Sequence, residues 1–288
     1  MAQEKSEGIK RLERAKKNLN GMRLVKKNLG GIDLTQGSLK ETDLSGSNLK
    51  QARFTGAFMN GAQLARANCE EAEFSRSNAV CINFANARLN RANFTEADLT
   101  ESNWTDATAD EAVFAGAIMR RAVLLSASFE GTDFSRAEMN KADLRETRFS
   151  RGLLEGANMS QSRLYKAVFI GARLAGANLA GSNISGGDFR NSDLSGADLT
   201  ECNLNRAFLR DSNLTGTGLQ RTNLRGADFN GALLDNTQLQ GADLTLAFNL
   251  TAGQLKGALL DSKTKLPENL QVRWISETEF EVVSTDDS

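Results

Sequence analysis

The chain of 288 residues contains no histidine and a single proline, Pro267. The first absence removes the commonest general base and metal ligand. The second, with 25 glycines scattered through the chain, is unlike the loop-rich build of an ordinary enzyme. Cysteine is scarce: Cys69, Cys81 and Cys202 form no metal or redox spacing and no even disulfide framework, so a reducing, cytoplasmic setting is expected. No apolar run approaches the ~18–20 residues of a membrane span. The opening residues, MAQEKSEGIKRLERAKKN, lack the apolar core of a signal peptide. Charge of one sign is missing too. The formal net charge is −1, which gives no global pull toward nucleic acid or membrane.

What is present is a period. Every fifth residue from Leu19 to Leu244 is apolar, 46 positions without a slip, with Cys69, Ala79 and Ala109 as the small exceptions. Two residues before each of these centres sits a second set that is mostly small, such as Ala52, Ala57, Ala62 and Ser77. Side chains two apart share one face of an extended chain. A straight strand would throw successive centres to opposite faces, and an α-helix would spread them over all sides. A turn inside every unit returns each centre to one interior. Glycine is frequent at the second residue after the centre, as at Gly46, Gly56 and Gly176, and suits such a corner.

The aromatics count the sides. Phe54, Phe74, Phe94, Phe114 and Phe134 are spaced by twenty, as are Phe129, Phe149, Phe169 and Phe189. Like residues stacked every twenty imply four units per coil. The 46 units then make about 11.5 coils, a rod of roughly 55 Å at the usual strand spacing. Trp104 is followed by the small Ala109, as dense packing of one layer demands.

Units such as Ala97-Asp98-Leu99-Thr100-Glu101 and Ala227-Asp228-Phe229-Asn230-Gly231 resemble the pentapeptide-repeat family, whose unit is A(D/N)LXX. The resemblance covers residues 19–249. It implies an all-β chain folded as a right-handed quadrilateral β-helix, a handedness shared with parallel crossovers in general.

Open ends of such a helix need capping. Residues 1–18 are expected to hold a short basic capping helix over 3–18. Between residues 10 and 27, Lys10, Arg11, Arg14, Lys16, Lys17, Arg23, Lys26 and Lys27 stand against Glu13. At the other end, over 250–288, Thr251 and Gln254 form the pattern of a capping box opening a helix through Leu260. The run LTAGQLKGALLDSKTKLP resembles the ending of pentapeptide proteins of cyanobacterial type. QVRWISETEFEVV reads as two strands turning around Ser276–Glu279, with Trp274 docked on the last coil.

No nucleophile and base can be paired here, and an interior filled by Leu and Phe leaves no room for a cofactor. No cofactor or metal is expected, and no catalysis. Two surface features depart from the pattern. Glu96, Asp98, Glu101, Asp106, Asp110 and Glu111 form an acidic belt with no basic residue among them. Val113, Ile118, Val123 and Leu125, then Tyr165, Val168 and Ile170, point outward by parity, with Arg145 between the two groups. Apolar groups with an aromatic and an arginine have the composition of a contact site.

The expected function is a non-catalytic protein-interaction module, a rigid regulator or scaffold, monomeric or homodimeric. It binds another protein and neither nucleic acid nor membrane directly. The family implies one alternative, a DNA mimic that inhibits or protects DNA gyrase from quinolones. Duplex DNA carries about one charge per ~1.7 Å of axis, whereas residues 17–246 sum to zero. Charge therefore favours the interaction module.

Overall fold

The computed structural model describes residues 6–275 and 280–285. The chain divides into two compact units, Met1–Arg148 and Phe149–Ser288.

Both units are built from one local rule. The residue before each centre bridges its counterpart twenty residues on in parallel, from Arg23↔Asp43 to Ser128↔Arg148 in the first unit and from Leu153↔Arg173 to Asp228↔Phe248 in the second. Four pentapeptides close each coil, as the Phe spacing predicts. Between coils the centre N–H donates nineteen residues ahead, Leu24 to the Asp43 carbonyl at 2.7 Å, and so does the corner residue, Lys26 to Ser45 at 2.9 Å. The next small-column residue closes the turn, Ala52 N–H donating to the Leu49 carbonyl at 2.9 Å.

That turn sets its third residue in the left-handed region. Glycine takes it at Gly176 (φ +65°), yet thirty non-glycine residues among the described ones also have positive φ, all but Asn249 at this corner. The strain, roughly 1–2 kcal/mol for an L-residue, is offset by the ladder bonds on either side. Corner side chains point to solvent, so long polar residues such as Arg91, Glu111 and Gln51 occupy these corners.

The pattern also leaves one N–H unpaired, that of the residue after the centre. Asn or Asp before the centre accepts it: Asp33 from Thr35 at 3.0 Å, Asp98 from Thr100 at 3.0 Å, Asn103 from Thr105 at 3.0 Å. This bond favours Asn and Asp, which hold 24 of the 46 such positions, although Asn78 Oδ1 is buried without a partner. Most buried hydroxyls of the small column reach back to the coil before, Thr42 donating to the Leu19 carbonyl and Thr217 to Leu194, whereas the Ser77 hydroxyl is buried without a partner.

The core is made of four columns of centre side chains along each unit. Rings stack face to face from Phe54 to Phe134 at centroid distances of 4.9, 4.6, 4.7 and 4.8 Å. In the second unit Phe149, Phe169 and Phe189 follow at 5.1 and 4.9 Å. Trp104 is fully buried, its indole N–H donating to the Ser102 hydroxyl at 2.7 Å.

At the amino-terminal end α1 spans Glu7–Arg14, and a 3-10 turn follows over Lys16–Asn18. Ser6 caps α1 by accepting from Ile9 N–H, Glu7 lies in its first turn and Arg11 and Arg14 in its last, all favourable to the helix dipole. Residues 3–5 of the expected helix lie outside the described residues.

At the other end the Thr251–Gln254 capping box forms, but α2 spans only Ala252–Leu255, not to Leu260. The coil reclaims the chain: Leu259 N–H donates to Thr237 at 2.8 Å and Leu259 bridges Gln238. A helix continuing through 259 would forfeit that pairing. The strands β1, Leu270–Trp274, and β2, Phe280–Ser284, pair antiparallel with Val272 opposite Val282. The turn residues 276–279 and the Trp274 side chain lie outside the described residues.

Candidate functional site

The interior offers nothing to chemistry. The centres are buried from Leu19 to Leu244, and among the described residues no group of His, Cys, Asp and Glu is placed to hold a metal ion. Burial pushes the Cys69 thiol far above its ordinary range and that of Cys202 up to about 12. Neither is a nucleophile. Cys81, at a corner, is also shifted upward, by partial burial and by the neighbouring Glu101 carboxylate. Among the described residues no helix is long and apolar enough to cross a membrane.

The outer surface carries the polar and charged side chains. The corner columns are ion-pair ladders with a rise of one coil. Arg76 meets Glu96 at 2.8 Å, Arg91 meets Glu111 at 2.8 Å, Arg121 meets Glu101 at 3.4 Å, and in the second unit Arg221 meets Glu201 at 2.8 Å. Three members of the acidic belt, Glu96, Glu101 and Glu111, are thus paired with arginines. Asp98 accepts from Thr100, and Asp110 accepts from the Ser128 hydroxyl at 2.7 Å and Glu130 N–H at 2.9 Å. Asp106 sits at a corner with φ +57°. A groove of about 320 Å³ between Lys50, Glu71, Arg91 and Asp110 has alternating charge.

The structure separates part of the apolar set. Val113, Ile118 and Val123 bridge three different columns and so lie on three successive sides of one coil. Val123 is exposed, while Val113, Ile118 and Leu125 are half-buried. Leu125 shares the side of Val123, as does Arg145, whose guanidinium is held by Asp143 at 2.6 Å. Tyr165, in the second unit, is 41% exposed, with the Lys166 ammonium 5.2 Å from its ring centre.

Val168 and Ile170 belong to a more developed surface. Val168, Asp188, Phe208, Asp228 and Phe248 form one column of parallel bridges. Phe208 and Phe248 are 45% and 46% exposed and flank a cleft of about 310 Å³. Asp228 lies buried at its floor, ion-paired to Arg210 and accepting from the Asn249 amide at 2.8 Å. Burial alone would raise this carboxyl. The Asn249 and Arg210 bonds outweigh it and hold it below the usual carboxylate range. Arg190 is held by Asp188 at 2.6 Å on the rim.

Phe208, Leu233 and Phe58 each precede a centre and Phe248 holds the same phase one unit beyond the last, so parity turns all four outward, but they lie too far apart in the chain to form a cluster.

A four-sided solenoid with a solid core and a patterned exterior defines the class: a β-helix of five-residue repeats. The profile of the pentapeptide repeats (8 copies) matches in overlapping segments from 18–51 to 222–261, and the chain belongs to the pentapeptide-repeat family. The fold of each unit is the family's right-handed quadrilateral β-helix. No curated protein sequence matches the chain.

Among solved structures it is similar to HetL, a pentapeptide repeat protein involved in heterocyst differentiation regulation from the cyanobacterium Nostoc sp. strain PCC 7120. The identity is 30% over 83% of this chain and 97% of HetL, with a TM-score of 0.28. QnrB1, a plasmid-mediated fluoroquinolone resistance protein, is 22% identical over 75% of this chain and 92% of its own, with a TM-score of 0.34. Rfr23 from the cyanobacterium Cyanothece 51142 is 21% identical over 49% of this chain and 97% of its own, with a TM-score of 0.22.

Proposed function

We propose that the protein is a non-catalytic protein-interaction module, a regulator or scaffold whose main contact is the Val168–Phe248 side of the second unit. One observation carries this reading. Val168 and Phe208 occupy slots that Asn or Asp fills in 24 of 46 units, Phe248 continues their column, and the two phenylalanines stand exposed beside half-exposed arginines. Solvated aromatics beside arginine are the anchors of protein interfaces. The Val123–Leu125 side of the first unit and Tyr165 supply further apolar contacts. The family's inhibitor of gyrase, acting by resemblance to duplex DNA, is a poorer fit: residues 17–246 sum to zero charge, and the corner carboxylates of Glu96, Glu101, Glu111 and Glu201 are matched by arginines.

The test is a pair of double variants, Phe208→Asp with Phe248→Asp and Leu125→Asp with Tyr165→Asp. A partner captured by the unmutated protein and identified by mass spectrometry is purified and its binding measured directly. Light scattering reads self-association in parallel. The expected result is unchanged melting with partner binding, or dimer mass, lost in the first variant and weakened in the second. If both variants fold and every interaction persists, the apolar sides are not the contact.

A further inference from the structure

Residues 6–30 carry eight cations against two carboxylates, whereas the rest of the chain is net acidic. The fold gathers that charge at one end of the first unit. Ile9 and Leu12 of α1 face Leu24 and Leu29 of the first coil across a groove of about 220 Å³ that Lys27 also lines. The far end of the cap is tied down in two places. The Glu13 carboxylate accepts from Asp33 N–H at 2.8 Å, and the Lys17 ammonium donates to the Gln36 carbonyl at 2.7 Å. Arg11 on α1 and Lys26 and Lys27 on the first coil are all exposed at this end of the unit.

Lys27 breaks the repeat in an informative way. It holds a small-residue slot, filled by alanine through most of the chain, and is nevertheless exposed. Nearby carboxylates do not neutralise the surface: of the cap cations, Asp33 and Asp43 reach only Lys16 and Arg23, at 3.8 and 3.9 Å. Glu7 makes a loose, exposed pair with Arg14 at 3.5 Å, and Glu13 is occupied by the Asp33 N–H.

We propose that this basic cap docks an acidic segment of a partner protein, at a surface separate from the apolar sides. A protein fits better than nucleic acid. No aromatic residue precedes Phe54 to stack on a base, and Met22, 38% exposed beside the cations, supplies an adaptable apolar contact. The net negative charge of the remaining chain opposes a long duplex. A lipid surface is a worse match, because the apolar residues of α1 face the coil and present no stripe to a bilayer.

The probe is a fluorescein-labelled glutamate-rich peptide titrated with the full chain by anisotropy, with a duplex DNA of about two turns as the competing ligand. The cap variant is Arg11→Gln, Lys26→Gln, Lys27→Gln. Glutamine already occupies corners like that of Lys26 at Gln36 and Gln51, and Arg11 and Lys27 are exposed, so the fold tolerates the changes. Arg136→Gln with Arg206→Gln serves as the control. The peptide should bind the unmutated chain, about tenfold more weakly the cap variant, and unchanged the control; the Phe208/Phe248 variant should also bind as before. Added salt should release the peptide from the unmutated chain. Absence of peptide binding, equal binding by the cap variant, or tighter binding of duplex than of peptide would each overturn the proposal.

Discussion

A single side chain in this fold is judged by its column. Phe94 stacks on Phe74 and Phe114 at 4.6 and 4.7 Å and meets Trp104 edge-on. Phe94→Ala should cost about 3–5 kcal/mol, the range for a buried phenylalanine, read by denaturant unfolding. Asp98→Ala removes the acceptor of the Thr100 N–H and should cost about 1 kcal/mol. Asp228 gives the pH dependence. Its carboxyl is held below the ordinary value of 3.8, so the folded state gains stability above that pH and loses it as pH falls through the depressed value. Melting followed into acid should therefore decline less steeply in Asp228→Asn than in the unmutated chain. An identical acid decline would show that Asp228 contributes nothing to it.

At the level of the pentapeptide, corner and side obey different rules. Gly176 is a corner glycine with φ +65° and nothing within 4 Å of an added Cβ, so Gly176→Ala should cost about 1 kcal/mol from backbone strain alone. Gly187 is a small-column residue, and a Cβ there would lie 2.8 Å from Ile184 Cγ2 and 2.9 Å from the Ile184 carbonyl. Gly187→Ala should cost about 1–3 kcal/mol by overpacking. Equal melting of the two variants would contradict this division. Phase, centre and small column were legible in the sequence because a buried side chain must recur at the coil period. The corner partners were less so: the alternation of Glu71, Arg91 and Glu111 is visible in the text, but exposed flexible side chains choose partners only in three dimensions.

For the whole molecule the absence of charge matters most. Balanced faces with paired corners do not reproduce the field of duplex DNA, so purified protein should leave DNA supercoiling by gyrase unchanged at micromolar concentration. Potent inhibition there would mean that local potential outweighs the neutral sum. Far-UV circular dichroism should show extended structure with little helix, since α1 and α2 together span eight and four residues.

By itself the sequence determined the four-sided coil. A five-residue spacing with twenty-residue aromatic columns admits one way to keep every centre inside, and burial of large apolar side chains enforces it at each step. The acceptor role of Asn and Asp was not legible, because it depends on which N–H the ladder leaves unpaired. Tertiary structure alone decided which outward residues share a side. Val113, Ile118 and Val123 are successive in the chain yet diverge around the coil. Val168, Phe208 and Phe248 are far apart in the chain yet align, because a turn at every corner separates near neighbours and stacking reunites residues a whole number of coils apart.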